Sequence, residues 1–535
     1  MTRQLYRKRK RKHPAMESVS WYKRQDFWAW FAGIVFIAAL IGAMFGFGAM
    51  RGWDAQSGYT HNTSATSRDR FWPEPYVPEP GVKGRYGVGA DSRWYYWKLP
   101  PDQVTAFTRL FMWLSYVGHQ LLMWAGILYS QLAKAAETPN EKYSTKLGKH
   151  NYILLGLNVF FHLLHLLQTH ITYDALAQDV SIASSQSSVI MMLVLIVLLE
   201  YKERGMIFGW PSVHDNGSKS RKVRFSYGPI NLFRKYHGYA FAWAVIYTFW
   251  YHPMENTWGH ALGFAHTWLV MLQGSLVYTN MHLNRYWRLL LEIWVTWHGG
   301  VVAYQTGGPD MLGTKLWPMF VFGFALVLVL TQIFSLPFWR RIPWWTRVFP
   351  LVVYLAITIW CYSWIPDAQG RTWVRMQEII RIPAVYYLYA LMAFGLLYLI
   401  LYIDRRCNNS RGSYDIKKKP SIAAQVMFIM GSVFVYAVMV TLSALLQILD
   451  VQIDLIALMI LLVGVFIIGV CISILFLKQI MLRQSAVGPT EEKHSDSEEY
   501  VSTSKLNVKQ TTTYSTYDQT KEKDQDAVTT KTERF

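Results

Sequence analysis

Apolar residues along the chain gather into twelve long runs, at 27–49, 105–133, 151–173, 187–201, 237–252, 260–279, 286–305, 317–338, 348–365, 383–403, 421–445 and 455–477. Most approach the ~20 residues that carry an α-helix across a bilayer, and the run at 187–201 is shorter. Inside hydrocarbon every backbone N–H and C=O must find a partner within the protein, so runs of this length are helices rather than strands of an open sheet. The pattern therefore predicts an all-α fold, a polytopic integral membrane helical bundle of about 12 transmembrane helices. The first run is too long for a cleavable signal peptide, and no small-residue cleavage site follows it.

The polar segments decide the orientation. The chain carries a formal charge of +19, a value that by itself would suggest a nucleic-acid partner. Its distribution says otherwise. RKRKRK at 7–12 precedes the first run, and basic clusters recur at 219–224, 234–235, 339–347 and 405–419. With an inside N-terminus all of these fall on one side, while the opposite loops, such as 174–186 and 446–454, are poor in Lys and Arg. Positive loops stay inside, so the N-terminus and C-terminus are both expected in the cytoplasm, with no nucleic acid among the partners. The 24 Trp and 33 Tyr flank many of the runs, where they serve as interfacial anchors.

The organisation follows. Residues 1–26 form a basic cytoplasmic arm suited to anionic lipid headgroups, and 27–49 the first transmembrane helix. Residues 50–104 form an extracytoplasmic loop rich in Pro, Gly and aromatics, with a glycosylation acceptor at Asn62. Residues 105–305 are a histidine-rich six-helix membrane core. Residues 306–479 form an apolar five-helix module for packing, dimerisation into a homo-oligomer, or lipid contact. Residues 480–535 are a polar tail, expected to be disordered. The expected location is the plasma membrane or an endomembrane. Cys361, Cys407 and Cys471 are scattered and provide neither a disulfide framework nor a CxxC metal site.

Candidate chemistry lies in the histidines. Eleven of the fifteen sit in or beside runs two to seven: His119, His150, His162, His165, His170, His237, His252, His260, His266, His282 and His298. His214 lies in an inner loop of the same region, and no histidine occurs between 299 and 493. Ionisable groups in a bilayer are costly and face the bundle interior. On the third run Asn158, His162, His165 and Thr169 share one helix face.

The stretch HNYILLGLNVFFHLLH at 150–165 and HGYAFAWAVIYTFWYH at 237–252 share the spacing H-x-Y-x12-H. Fifteen residues of helix rise about 22 Å and turn about 60° away from alignment. The spacing on these two helices resembles that of two-haem membrane cytochromes of the b type. That resemblance implies haem b held by His165 and His252 at the outer level and His150 and His237 at the inner one. It also implies transmembrane electron transfer, a membrane oxidoreductase activity, and an external electron donor, because the chain has no GxGxxG-plus-acid fingerprint.

Two further readings compete. His162, His170, Asp174, His260, His266 and His298 could supply N and O ligands to a non-haem iron or zinc centre, joined by Glu255, although HExxH and the HxxHH boxes are absent. Alternatively, His298, Glu292, His119 and His165 could form a relay in a transporter or proton-conducting pathway, because histidine exchanges protons near neutral pH. Structural roles compete with all three: a lone buried His is most often a hydrogen-bonded tie between helices. The segment HPMENTWGH at 252–260 either lids a metal or haem site, gates a pathway, or is an aromatic-anchored turn. Pro253 stops the helix after His252.

Overall fold

The computed structural model describes residues 20–53, 55, 72–74, 94–96, 99, 103–135, 137, 142–211, 227–305, 312–367, 370–408, 422–448 and 455–486. Asn62, His214 and most of the basic arm, the 50–104 loop and the tail lie outside them. Among the described residues there are twelve α-helices, one for each apolar run. They are α1 (Gln25–Met50), α2 (Ala106–Ala133), α3 (Lys149–Thr172), α4 (Ile182–Arg204), α5 (Tyr227–Tyr251), α6 (Trp258–Ser275), α7 (Arg285–Gln305), α8 (Leu312–Leu330), α9 (Phe349–Tyr362), α10 (Arg381–Asn408), α11 (Ile422–Ile448) and α12 (Leu455–Ala486). A two-stranded antiparallel ladder, Trp72–Glu74 with Trp94–Tyr96, adds to the all-helical expectation among the described residues.

By length and composition, seven helices can cross a membrane; they lie within residues 25–50, 149–172, 183–204, 317–335, 344–362, 374–403 and 458–478. Helices α2, α5, α6, α7 and α11 fall outside that set, the apolar stretch of α11 at Ile429–Leu442 being shorter. The other four hold His119, His237, His260, His266 and His298 together with many Trp and Tyr, and these lower the mean hydropathy of helices that are nonetheless buried.

The helix ends are set by local chemistry. The Thr105 hydroxyl caps α2 by accepting from the Thr108 N–H at 3.2 Å. Asn151 plays the same part for α3: its side-chain oxygen accepts from the Gly148 N–H at 2.8 Å. Its amide also donates to the carbonyls of Ser275 and Val277. One side chain thus ends one helix and ties it to the end of another. α3 stops at Tyr173 in the left-handed region, φ 52°, and α4 at Gly205, φ +70°. Thr257 caps α6 by accepting from the His260 N–H at 3.1 Å.

Packing runs through the histidine-bearing helices. α2 lies on α3 and α5, α3 on α6, α5 on α4 and α6, and α6 on α7 and α1. Later helices join the same body: α8 packs on α7, and α10 on α4 and α5. The Ser187 hydroxyl of α4 donates to the Met459 carbonyl of α12 at 3.0 Å. Trp243 of α5 stacks on Tyr436 of α11, 5.0 Å between ring centres. Asp26 of α1 is fully buried. It pairs with Arg24 at 2.9 Å and accepts from the Met281 N–H at 2.8 Å, which pins α1 to the turn between α6 and α7. On α9 the side chains of Phe349, Val352, Val353, Ile357 and Trp360 are exposed, an apolar face suited to lipid.

Candidate functional site: two cavities joined at a histidine pair

The histidines separate into three groups. The first is an aromatic box on α2, α3 and α5. His119, fully buried, accepts from Trp250 Nε1–H at 3.1 Å through Nδ1, so its proton sits on Nε2, which donates to Asn158 Oδ1 at 3.1 Å. Asn158 Nδ2 donates in turn to Ser275 Oγ at 2.8 Å. The chain ties α5, α2, α3 and α6 together and uses both imidazole nitrogens. His162 Nδ1 donates to the Asn158 carbonyl one turn back, at 2.7 Å, and its ring lies 4.3 Å from Phe249 and 4.2 Å from Trp268. His165 stacks on Trp250 at 4.2 Å, with Phe249 at 4.6 Å. Among the described residues neither of its ring nitrogens, nor His162 Nε2, has a hydrogen-bond partner. The backbone at His252 comes near His165 without reaching hydrogen-bond geometry.

The second group lines a cavity of about 150 Å³, cavity I, at the α5–α6 turn. Ser185 and Gln186 of α4, Thr248 of α5, His252, Thr257 and His260 around the turn, and His298 and Gln305 of α7 bring polar atoms to a largely apolar chamber. The turn HPMENTWGH is highly ordered by polar contacts. Tyr173 donates to Glu255 Oε2 at 2.6 Å, and Glu255 Oε1 lies 3.0 Å from His260 Nδ1, which also meets Thr257 Oγ1 at 2.6 Å. The His252 and His260 rings sit 5.8 Å apart, edge to face. Met254 N–H donates to Thr169 Oγ1, which locks the turn onto α3.

The third group lines cavity II, about 240 Å³, at the opposite ends of the same helices. His237, His266 and His282 face it, with Arg234 and Lys235 of α5, Glu200 of α4, and Arg288 and Glu292 of α7. His237 Nδ1 donates to the Arg234 carbonyl at 2.9 Å, and His282 Nδ1 to the Gln273 carbonyl at 2.7 Å. Beside the cavity Arg204, fully buried, places Nη1 2.8 Å from both carboxylate oxygens of Glu292. Glu200 pairs with Arg288. In the turn that carries it, His282 is held neutral: burial pushes its imidazole down to about 4.

The two cavities lie end to end. Consecutive residues of α4 serve first one and then the other, and Leu193 lines both. The junction is a histidine pair. His298 lines cavity I, His266 lines cavity II, and their rings meet edge to face at 5.7 Å. His266 Nε2–H donates to the Leu291 carbonyl at 3.0 Å, leaving Nδ1 as the acceptor. Gly263 makes room for this: a Cβ there would come within 2.9 Å of His298 Nε2.

The expected ligand sets map onto this layout unevenly. His252 faces cavity I and His237 cavity II, while their intended partners line neither. His165 is closed in by Trp250 and Phe249, and His150 meets Tyr278 edge to face at 6.0 Å. A bis-histidine haem needs two imidazoles across an open slot wide enough for a porphyrin. Packed as they are, these four residues do not frame one.

The metal set is also dispersed. Asp174 is 2.6 Å from Arg109 and accepts from its neighbour's N–H, while burial pushes its carboxyl above the usual range against the pull of Arg109. His170 lies between Phe47 and Trp53. Among the described residues no three His, Cys, Asp or Glu side chains converge as a metal site. Of the expected relay, His298 and Glu292 lie on the cavities, whereas His119 and His165 stand apart in the aromatic box.

Sequence reasoning missed the Arg204–Glu292 and Arg288–Glu200 pairs as units. Their signal was present: charges of both signs close to the ends of the fourth and seventh apolar runs. The chain matches no family model, no curated protein and no solved structure.

Proposed function

We propose that this protein is a twelve-span membrane transporter or proton pathway, with both termini cytoplasmic, in which protons pass between two opposed cavities through His298 and His266. One observation supports this above the others: the ring contact between two imidazoles, each facing a different cavity. The basic clusters support a cytoplasmic side for cavity II, which Arg234 and Lys235 line, with cavity I on the outer side, in a plasma or endomembrane. A proton taken from cavity I rides on the His298 ring and passes to Nδ1 of His266. The imidazolium formed there releases its other proton, from Nε2, toward cavity II, and the ring resets by reorientation. Leu193 lines both cavities, and in this reading the imidazoles carry the proton past the apolar wall between them.

The test is proton flux into liposomes carrying the full chain and a trapped pH-sensitive dye. His298→Ala and His266→Ala are each expected to abolish flux while the protein elutes as a single folded species. Flux equal to the unsubstituted protein in both variants would refute the pathway. A reduced-minus-oxidised absorption spectrum on the same sample separates this reading from a haem electron carrier, which a Soret band with sharp α and β bands would restore.

A further inference from the structure

We infer that cavity II is a binding site for an amphipathic anion: a ligand with a carboxylate or phosphate head and a short apolar body. This rests on the transport reading only for what the site is for, and not for whether it binds.

The cavity is two-faced. Buried Met123, Met192, Val245 and Ile246 line it on one side, and the less buried Arg234, Lys235, Tyr143 and Tyr278 on the other. A chamber apolar on one side and polar on the other fits a molecule built the same way. Its volume, about 240 Å³, exceeds the roughly 150 Å³ that an apolar cavity needs to hold a benzene ring.

Charge chooses the sign of the head. Both carboxylates on the wall are already committed, Glu200 to Arg288 and Glu292 to Arg204. Arg234 and Lys235 bring two cationic side chains to the same wall. An anion seated beside them would be held by charge-assisted hydrogen bonds. The two imidazoles add a second contact. His237 and His282 each commit Nδ1–H to a backbone carbonyl, which leaves Nε2 as a hydrogen-bond acceptor for the protonated oxygen of a weak acid. A head that exchanges one proton would meet the cations when ionised and an imidazole Nε2 when protonated.

Two glycines leave the apolar part open. A Cβ on Gly238 would meet only Ile127, at 3.8 Å, and one on Gly274 would meet nothing within 4 Å. A Cβ at position 238 therefore fits, and the rest of a leucine there would extend into ligand space.

The experiment is calorimetric titration of decanoate into the full-length protein in nanodiscs of neutral lipid, with decylamine and inorganic phosphate as comparison probes. Decanoate is expected to bind, and to bind at least about tenfold more weakly to Arg234→Gln and to Gly238→Leu. Decylamine should bind far more weakly than decanoate. Repeating the titration in discs containing phosphatidylglycerol separates the sources. Loss of decanoate binding there assigns the site to an anionic lipid, and unchanged binding to a soluble amphiphile; both outcomes support the site.

The inference is overturned if decylamine binds as tightly as decanoate, if phosphate alone binds as tightly, or if neither variant weakens decanoate. His298→Ala keeps the two readings apart. It should lose proton flux and retain decanoate binding, whereas an unsubstituted protein that binds decanoate but conducts no protons refutes the pathway and leaves the site standing.

Discussion

Replacing Glu292 by Ala is expected to be among the most destabilising single changes in the protein. Arg204 has no side-chain exposure and Glu292 only 5%. Nη1 of Arg204 reaches both carboxylate oxygens at 2.8 Å, and its Nε and Nη2 have no partner among the described residues. Removing the carboxylate therefore strands a guanidinium that cannot shed its proton and cannot reach water. Stranding one member of a buried pair costs about 3–5 kcal/mol, most of it the desolvation of the charge left behind. The same reasoning makes a second, opposite claim. Removing both charges with Arg204→Met and Glu292→Leu together abolishes the stranded charge, so the double variant should lie within about 1 kcal/mol of the parent or gain up to about 4 kcal/mol.

The assay is unfolding of purified protein in mixed micelles, followed by tryptophan fluorescence across a denaturant series, for the parent, both single variants and the double. A coupling energy of about 2 kcal/mol or more between the two positions supports the account. Two results would refute it: a loss under about 1 kcal/mol for Glu292→Ala, which would mean that water or Glu200 screens Arg204, or a double variant no better than the worse single one.

The remaining predictions concern pH and the conducting path. His282 titrates at about 4 when folded and near 6.5 when unfolded, so the unfolded chain binds more protons between these values. Stability from this residue is complete above about pH 6.5 and falls by at most about 1.4 kcal/mol per pH unit on acidification toward 4. His282→Gln should flatten that part of a stability–pH profile, and an unchanged profile would count against the assignment. Gly263→Val is expected to cut proton flux severalfold or more while leaving the fold intact, since even its Cβ would come within 2.9 Å of His298 Nε2; parental flux would show that His298 need not lie where it does. Glu255→Gln should slow proton uptake from the cavity I side more than Tyr173→Phe does, because Glu255 touches His260 directly and Tyr173 acts through it. Equal effects measured by one-sided acid jumps would argue for a purely structural turn.

The helices themselves were legible in the sequence. All twelve follow from apolar run length, because a helix satisfies its own backbone and its position in the chain is a local property. The stop at Pro253 and the one-sided stripe Asn158–His162–His165–Thr169 are equally local, and each is found where the residues put it. Histidine crowding into the second to seventh runs also marked where buried imidazoles lie.

Which histidines share a space was a different matter. The His150–His165 and His237–His252 spacing is a statement about two helices taken singly. Whether their rings face one slot depends on the rotation of α3 against α5, and Trp250 and Phe249 occupy the place where His165 would need room. Likewise His266 and His298 are 32 residues apart on adjacent helices, and no period in the chain brings them together. Gly263 does, by letting His298 lie against α6. The same holds for Arg204 and Glu292, whose pairing requires α4 and α7 to meet at equal depth. Sequence determined the elements, their ends and the store of ionisable groups. Tertiary packing alone decided which of those groups are hydrogen-bonded ties, which face a cavity and which neutralise one another, because each outcome depends on helix rotation and depth.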